Sequence, residues 1–257
     1  MRLPFAVLGS GSKANSYIFE TGDGCIVIDN GFVLKDFKKR CAAAGFDWTT
    51  VKAVFLTHNH GDHVRGLETL VGHTGATLVH RQGFRIDTLF RKLKNYAAYP
   101  VEPRKSYRLG EVEFYPFDLS HDAPGAQSYH FKAGGRRFTL ITDTGRTDDL
   151  MLGLAARSEV LFLESNYCPK LLEAGPYPPA LRARVAADTG HLSNHQAAEF
   201  LNALADRDDC LVEQVYLVHL SENNNSPDRV GEVLSAESRW KGPIRVCGRS
   251  EMVVGDR

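Results

Sequence analysis

Cysteine is scarce and unpatterned in this chain: five residues, Cys25, Cys41, Cys168, Cys210 and Cys247, an odd number with no Cys-x-x-Cys spacing. That argues against a disulfide framework and against a cysteine-closed structural zinc site, and leaves reduced thiols that ligate nothing. Excess charge of either sign is also missing, with 31 Lys and Arg against 31 Asp and Glu. The broad basic field of a non-specific DNA binder is therefore absent, and nucleic-acid contacts would have to come from local patches. No apolar run approaches the ~20 residues of a membrane-spanning helix. The stretch Met1 to Gly9 is too short in its apolar run for a signal peptide. A cytoplasmic chain without membrane contact is expected. No Pro/Ser-rich linker or charge block interrupts the 257 residues, so a single domain over 1–257 is expected. Gly9-Ser10-Gly11-Ser12 has neither the Gly-x-Ser-x-Gly nucleophile elbow nor the third glycine of a dinucleotide loop, and reads mainly as a turn.

Hydrophobic residues make up 43% and aromatics 10% of the chain, enough for a sizeable core. Short apolar or β-branched runs alternate with longer amphipathic ones. Strands are expected near Phe5 to Leu8, Ser16 to Glu20 and Cys25 to Asp29, the last two joined as a hairpin by Thr21-Gly22-Asp23-Gly24. Leu34 to Ala44 reads as a helix with Phe37, Cys41 and Ala44 on one face and Gly45 placed to end it. Further hairpins are expected at Leu109-Gly110-Glu111 and Gly134-Gly135-Arg136, and helices at Asp148 to Ala156, Asn194 to Ala205 and Asp228 to Arg239. Periodicity alone gives an α/β or α+β fold.

The densest chemistry lies in Leu56-Thr57-His58-Asn59-His60-Gly61-Asp62-His63, with three histidines and an aspartate within six positions directly after the apolar run Val51 to Leu56. A strand ending in a tight loop lets His58 and His60, two apart, project the same way, with Asp62 and His63 at the start of the next helix. Two neighbouring ions fit this density, and imidazole with carboxylate suits Zn²⁺, Mn²⁺ or iron. Downstream, Ser120-His121-Asp122, Thr142-Asp143-Thr144-Gly145 and His219 each follow a strand-like run. Any one of these taken alone reads as an ordinary polar loop residue.

The first motif resembles the His-x-His-x-Asp-His signature of the metallo-β-lactamase superfamily. That resemblance implies a four-layer αβ/βα sandwich, two mixed β-sheets with helices on both outer faces. It also implies two divalent ions, Zn or Mn with iron also compatible. One ion would be held by His58, His60 and His121, the other by Asp62, His63 and His219, with Asp143 shared. A metal-bridging water, its pKa lowered from about 15.7 towards neutrality, would then be the nucleophile. Asp29 resembles the superfamily's aspartate that orients ligating groups, although Asp before Asn30-Gly31 is also good turn chemistry.

A narrower resemblance covers residues 3 to about 226. Leu8-Gly9-Ser10-Gly11-Ser12-Lys13, Ser120-His121-Asp122-Ala123, Leu163-Glu164-Ser165-Asn166, Gly190-His191-Leu192-Ser193-Asn194 and His219-Leu220-Ser221 are similar to the YycJ (WalJ) family of nucleases. That similarity implies 5′ to 3′ exonuclease activity on DNA, with RNA the other nucleic-acid substrate. More distantly, Glu164 and His191 sit where tRNase Z pairs a glutamate with a histidine near the scissile phosphate. Asp62, Glu164 and His191 are the implied catalytic residues, and Asp29, Lys13, Asn166 and Asn194 the supporting or substrate-contacting ones. His191 also reads as part of a turn before a helix capped by Ser193 or Asn194. Tyr167, where the family usually has histidine, reads equally as a base-stacking or a packing residue.

Arg81, Arg85, Arg91, Lys92 and Lys94 are expected in one helical region with Asp87 their only opposing charge, either as a phosphate-binding patch or as a solvated face. Arg182 and Arg184 precede the His191 loop. The alternative to a DNA exonuclease is a tRNase Z-like enzyme or a hydrolase of a small cyclic phosphodiester, thioester or lactone, because the same centre polarises carbonyls.

Overall fold

A computed structural model of the chain describes residues 4–248 and 251–255. The first three positions of the N-terminal apolar run, and Arg249, Ser250, Asp256 and Arg257, lie outside the described residues. The first half holds strands β1 (Phe5–Gly9), β2 (Ser16–Thr21), β3 (Gly24–Ile28), β4 (Val51–Phe55), β5 (Thr77–Arg81) and β6 (Ala98–Val101), with helices α1 (Leu34–Ala44), α2 (Gly61–Val64) and α3 (Leu67–Thr74). The second half holds β7 (Tyr107–Leu109), β8 (Val112–Asp118), β9 (Gln127–Ala133), β10 (Arg136–Ile141), β11 (Val160–Glu164), β12 (Gln214–Val218), β13 (Ile244–Val246) and β14 (Val253–Gly255). Its helices are α4 (Asp149–Ala156), α5 (Pro169–Ala174), α6 (Pro179–Val185), α7 (Asn194–Ala205) and α8 (Pro227–Glu237).

Two seven-stranded sheets form, in the orders β14-β1-β2-β3-β4-β5-β6 and β13-β12-β11-β10-β9-β8-β7. Each combines three antiparallel pairings with three parallel ones, β3 to β6 in the first sheet and β10 to β13 in the second. The last strand, β14, returns to pair with β1, Phe5 opposite Gly255.

Side-chain alternation explains the layering. Phe5 and Val7 of β1, Ile26 and Ile28 of β3, and Val160 and Phe162 of β11 point into one core between the sheets. Their neighbours Ala6, Leu8, Cys25 and Val27 instead meet Phe37 and Cys41 of α1 and Leu67, Leu70 and Val71 of α3. Leu161 and Leu163 likewise meet Met151 and Leu154 of α4, Leu201 and Leu204 of α7 and Val230 of α8. Such strands are apolar on both faces, which is why they read as unbroken hydrophobic runs. Between the sheets the rings meet edge to face, Phe5 and Phe138 at 5.3 Å and Phe19 and Phe131 at 4.8 Å, fixing how one sheet sits on the other. The expected four layers are present.

Helix α1 has the expected bounds, buries Phe37, Cys41 and Ala44, and ends on Gly45 at φ 73°. The expected helical region from Arg81 to Lys94 is not formed. Arg81 ends β5 and pairs with Asp118 at 2.7 Å, Arg85 pairs with Asp87 at 3.0 Å, and only Ile86–Thr88 makes a 3-10 turn. The cause is local: Gly83 turns the chain at φ 79°, and the Glu68 carboxylate of α3 accepts the amides of Lys92 and Leu93, which a helix would have used itself. Among the described residues no helix is long and apolar enough to cross a membrane.

Candidate metal centre

All the motif residues collect where strands end. Asp29 follows β3, His58 and His60 follow β4, His121 follows β8, Asp143 follows β10, Glu164 closes β11 and His219 follows β12. Parallel strands place such residues on one edge of both sheets, where backbone groups are released from the ladders. Asp29, Asp143 and His219 adopt φ of 54°, 58° and 58°, and Arg104 is the other non-glycine residue with positive φ among the described residues. Each such conformation costs about 1–3 kcal/mol and persists where surrounding bonds fix it. The strain turns each side chain inward at the moment its strand stops. Gly31 permits the same convergence: a Cβ there would lie 1.8 Å from the Asp62 carbonyl oxygen.

Asp29 is fully buried and organises two imidazoles. Its Oδ2 receives His63 Nδ1 at 2.7 Å and the Thr57 hydroxyl at 2.6 Å, and its Oδ1 receives the Thr57 amide at 2.9 Å. Having donated to Asp29, the Thr57 oxygen accepts from His58 Nδ1 at 2.9 Å. Both histidines thus carry their proton on Nδ1 and present Nε2 to the interior. His121 is held similarly, with Nδ1 on the Gly190 carbonyl at 3.1 Å and Nε2 3.1 Å from His60 Nδ1. Glu164 Oε1 accepts from both His219 Nδ1 and His191 Nδ1 at 2.8 Å, while its Oε2 accepts the Thr144 amide at 3.0 Å. Asn166 donates to the His219 carbonyl at 2.7 Å, and Ser10 Oγ accepts the His219 amide at 2.9 Å.

The donor set fits divalent cations. His58, His60 and His121 each offer a nitrogen within 4.8 Å of the others, and so, with one carboxylate oxygen, do Asp62, His63 and His219. Buried His58 Nε2 and His219 Nε2 have no hydrogen-bond partner, a costly state unless something else occupies their lone pairs. Asp143 faces both groups: Oδ2 lies 3.4 Å from His63 Nε2 and Oδ1 lies 4.0 Å from His121 Nε2. Ligands about 2.1 Å from a tetrahedral ion stand roughly 3.4 Å apart, the spacing seen here.

Without ions, protons carry the compensating charge. Burial alone would lower His219, but the charge of Asp143, the nearby Asp62 carboxylate and the hydrogen bond to Glu164 raise it to about 10. His63 is likewise opposed by burial yet pushed well above its ordinary value by Asp143 and Asp29. Burial would raise Asp62 and Glu164, but the histidines bonded to each hold both well below the usual carboxylate range. His58 goes the other way, lowered by burial and by His63 and His121, which keeps its imidazole neutral.

A sequence model of the family described as Beta-lactamase superfamily domain matches residues 26–220, which include all the residues above except Ser10. The chain belongs to the metallo-β-lactamase superfamily. Within it, the chain is 30% identical over 226 residues to the exodeoxyribonuclease WalJ of Streptococcus pneumoniae, covering 86% of this chain and 82% of that protein. It is 30% identical over 244 residues to the exodeoxyribonuclease YycJ of Bacillus anthracis, covering 94% and 91%. It therefore belongs to their family. The fold also superposes on the metallo-β-lactamase fold protein YhfI of Bacillus subtilis with a TM-score of 0.73 at 14% identity, over 99% and 100% of the two chains. For the short form of human tRNase Z the TM-score is 0.66 at 14% identity, over 97% and 98%.

Superfamily membership carries divalent metal binding with it. The remaining candidates fall into two groups. Asn194 is buried beneath the site, its Oδ1 accepting from Ser165 Oγ and Asn225 at 2.8 Å, so it braces the loops and is closed to substrate. Lys13 is exposed at the rim, 2.7 Å from Glu222 across a groove of about 420 Å³. Tyr167 is not available for stacking: it is 6% exposed and packs on Leu172 and Val185, because the chain around it is pinned by a bridge to Ser193. Ser193 caps α7 in a reciprocal box with Gln196, and His191 just before it pairs with Glu164 at 2.8 Å. Three site neighbours had no distinguishing mark in the sequence. Asn15 donates to Asp62 Oδ2 at 3.0 Å, Thr57 relays Asp29 to His58, and Asp122 Oδ1 stands 3.5 Å from His60 Nε2. Only adjacency to a ligand could have flagged Thr57 and Asp122, and Asn15 lay hidden in a segment that reads as a turn.

Proposed function

We propose that this chain is a dinuclear-metal phosphodiesterase of one domain that degrades nucleic acid, a 5′ to 3′ exonuclease acting on DNA. The observation that carries the reading is the Asp143 carboxylate lying between two nests of ligand atoms, Oδ2 3.4 Å from His63 Nε2, and Oδ1 3.4 Å from His219 Nδ1 and 4.0 Å from His121 Nε2. The relatedness to the exodeoxyribonucleases WalJ and YycJ supports DNA as the substrate. His58, His60 and His121 would hold one ion, Asp62, His63 and His219 the other, with Asp143 between; Zn²⁺ and Mn²⁺ both suit these donors. When bound, such a pair supplies an acidified water as nucleophile and charge to offset the phosphorane oxygens.

The protein's own groups do the rest. Asp62, kept ionised and held by Asn15, orients the attacking water through its carboxylate. Glu164 holds the Nδ1 proton of His191, so that the other ring nitrogen faces substrate and, as an imidazolium, passes its proton to the leaving oxygen. Asp29 contributes by fixing the tautomers of His58 and His63. Replacing His191 with alanine is accordingly expected to lower turnover by about 10²-fold with metal content unchanged, measured by steady-state kinetics alongside elemental analysis. Loss of ions in that variant would make His191 a ligand instead.

The experiment that tests the reading is a substrate panel: end-labelled single- and double-stranded DNA and RNA, bis-p-nitrophenyl phosphate and a thioester, each with Zn²⁺ or Mn²⁺. DNA shortening progressively from its 5′ end is expected. Turnover of the thioester alone would remove the nuclease reading in favour of a carbonyl hydrolase.

A further inference from the structure

We propose that Arg184 grips a phosphate flanking the scissile one, making it a specificity residue for polymeric substrate; this rests on the nuclease reading above. Arg184 lies on the last turn of α6, and the segment after it folds back tightly. His191 donates its amide to the Val185 carbonyl at 3.0 Å, and a Cβ at Gly190 would lie 2.3 Å from the carbonyl oxygens of Arg184 and Val185. The Gly190 carbonyl in turn receives His121 Nδ1. Helix α6 is therefore tied to a metal-ligand candidate through five residues of chain.

Its guanidinium is tied to the site a second time. Arg184 Nε donates to Asp122 Oδ2 at 2.5 Å, and the other oxygen of Asp122 stands 3.5 Å from His60 Nε2 and 3.6 Å from His121 Nε2. The Arg184 side chain is 51% exposed, and among the described residues no hydrogen bond engages its Nη1 or Nη2. A planar fork with two free amino groups, clamped at its third nitrogen, is preorganised for a phosphate. The Asp122 carboxylate stands between the guanidinium and the ligand candidates His60 and His121, which sets Arg184 beside the ion pocket and outside its ring of donors. The phosphate it meets is one further along the strand. With equal numbers of acids and bases overall and five acids, Asp29, Asp62, Asp122, Asp143 and Glu164, gathered at the site, a local cation at the mouth is what an incoming polyanion needs.

The test compares wild type with Arg184→Ala and Arg184→Lys in the metal-loaded protein. Cleavage of labelled single-stranded DNA and of bis-p-nitrophenyl phosphate, which has one phosphodiester and no flanking phosphate, is read beside binding of a phosphorothioate oligonucleotide at several salt concentrations. For Arg184→Ala we expect DNA binding weakened about tenfold, as for one lost charged hydrogen bond. The salt slope should fall by about 0.7, with unchanged ion content and unchanged turnover of the small diester. Arg184→Lys should recover part of the binding. Equal losses on both substrates together with loss of ions would reduce Arg184 to a strut for Asp122, and unchanged DNA binding would overturn the proposal outright. A wild-type protein that binds DNA through Arg184 but cleaves nothing would instead count against the nuclease reading alone.

Discussion

Changing Asp143 to asparagine is expected to lower phosphodiesterase turnover by about 10³-fold or more, roughly 4 kcal/mol of lost transition-state stabilisation. The stoichiometry of bound ions should fall below two. The carboxylate addresses both nests of ligands, Oδ2 near His63 and Oδ1 near His121, so removing its charge weakens both ion sites at once. Asparagine is the appropriate replacement because the residue sits at φ 58°, a conformation Asn and Asp tolerate and alanine does not. The fold should therefore survive, and a melting curve near that of wild type separates loss of chemistry from loss of structure. Full occupancy by two ions with near-normal turnover would sink the assignment of Asp143 as the shared ligand.

Stripping the protein of metal with a chelator is expected to make its stability depend on pH in the alkaline direction. Folded His219 is raised to about 10, and His63 is raised as well, so each binds its proton more tightly folded than unfolded. That stabilisation is complete below the unfolded value of about 6.5 and is lost as pH climbs through the folded one. The lowered carboxyls Asp62 and Glu164 lose theirs only in acid, below the same window. Between pH 6.5 and 10 the metal-free protein should lose on the order of 2–4 kcal/mol, a drop of roughly 5–15 °C in Tm by scanning calorimetry. The metal-loaded protein, whose ions replace those protons, should be nearly flat over that range. Ion binding near neutral pH should release protons, visible as a buffer-dependent heat in titration calorimetry. Parallel pH slopes for the two forms would contradict this account.

How much of this was legible in the residues follows from distance along the chain. His58, His60, Asp62 and His63 fall within one strand–loop–helix unit, so local spacing alone brought them together. The hairpins at Gly22–Gly24 and Gly134–Gly135 and helix α1 were legible for the same reason, since glycine geometry and side-chain period act within a few residues. His121, Asp143 and His219 gained meaning only from the family pattern, because nothing in a lone strand end says which other strand end it will meet. The pairing of Asp122 with Arg184 was beyond either route: 62 residues separate them, and α6, at seven residues, is too short to show a period. The edge strands β13 and β14, three residues each, carry no alternation to read. The misassigned 81–94 segment failed because a glutamate from another helix captured its amides, a tertiary effect that propensity does not contain.

The return of β14 to β1 has a consequence for biosynthesis. A ribosome delivers Phe5 long before Gly255, so the first sheet waits with an unpaired edge until residue 255 has emerged. His219 arrives 161 residues after His58, and so the ion cluster is completed long after its first motif is made. A chain released prematurely would carry the eye-catching histidine motif and yet present an open sheet margin that invites aggregation.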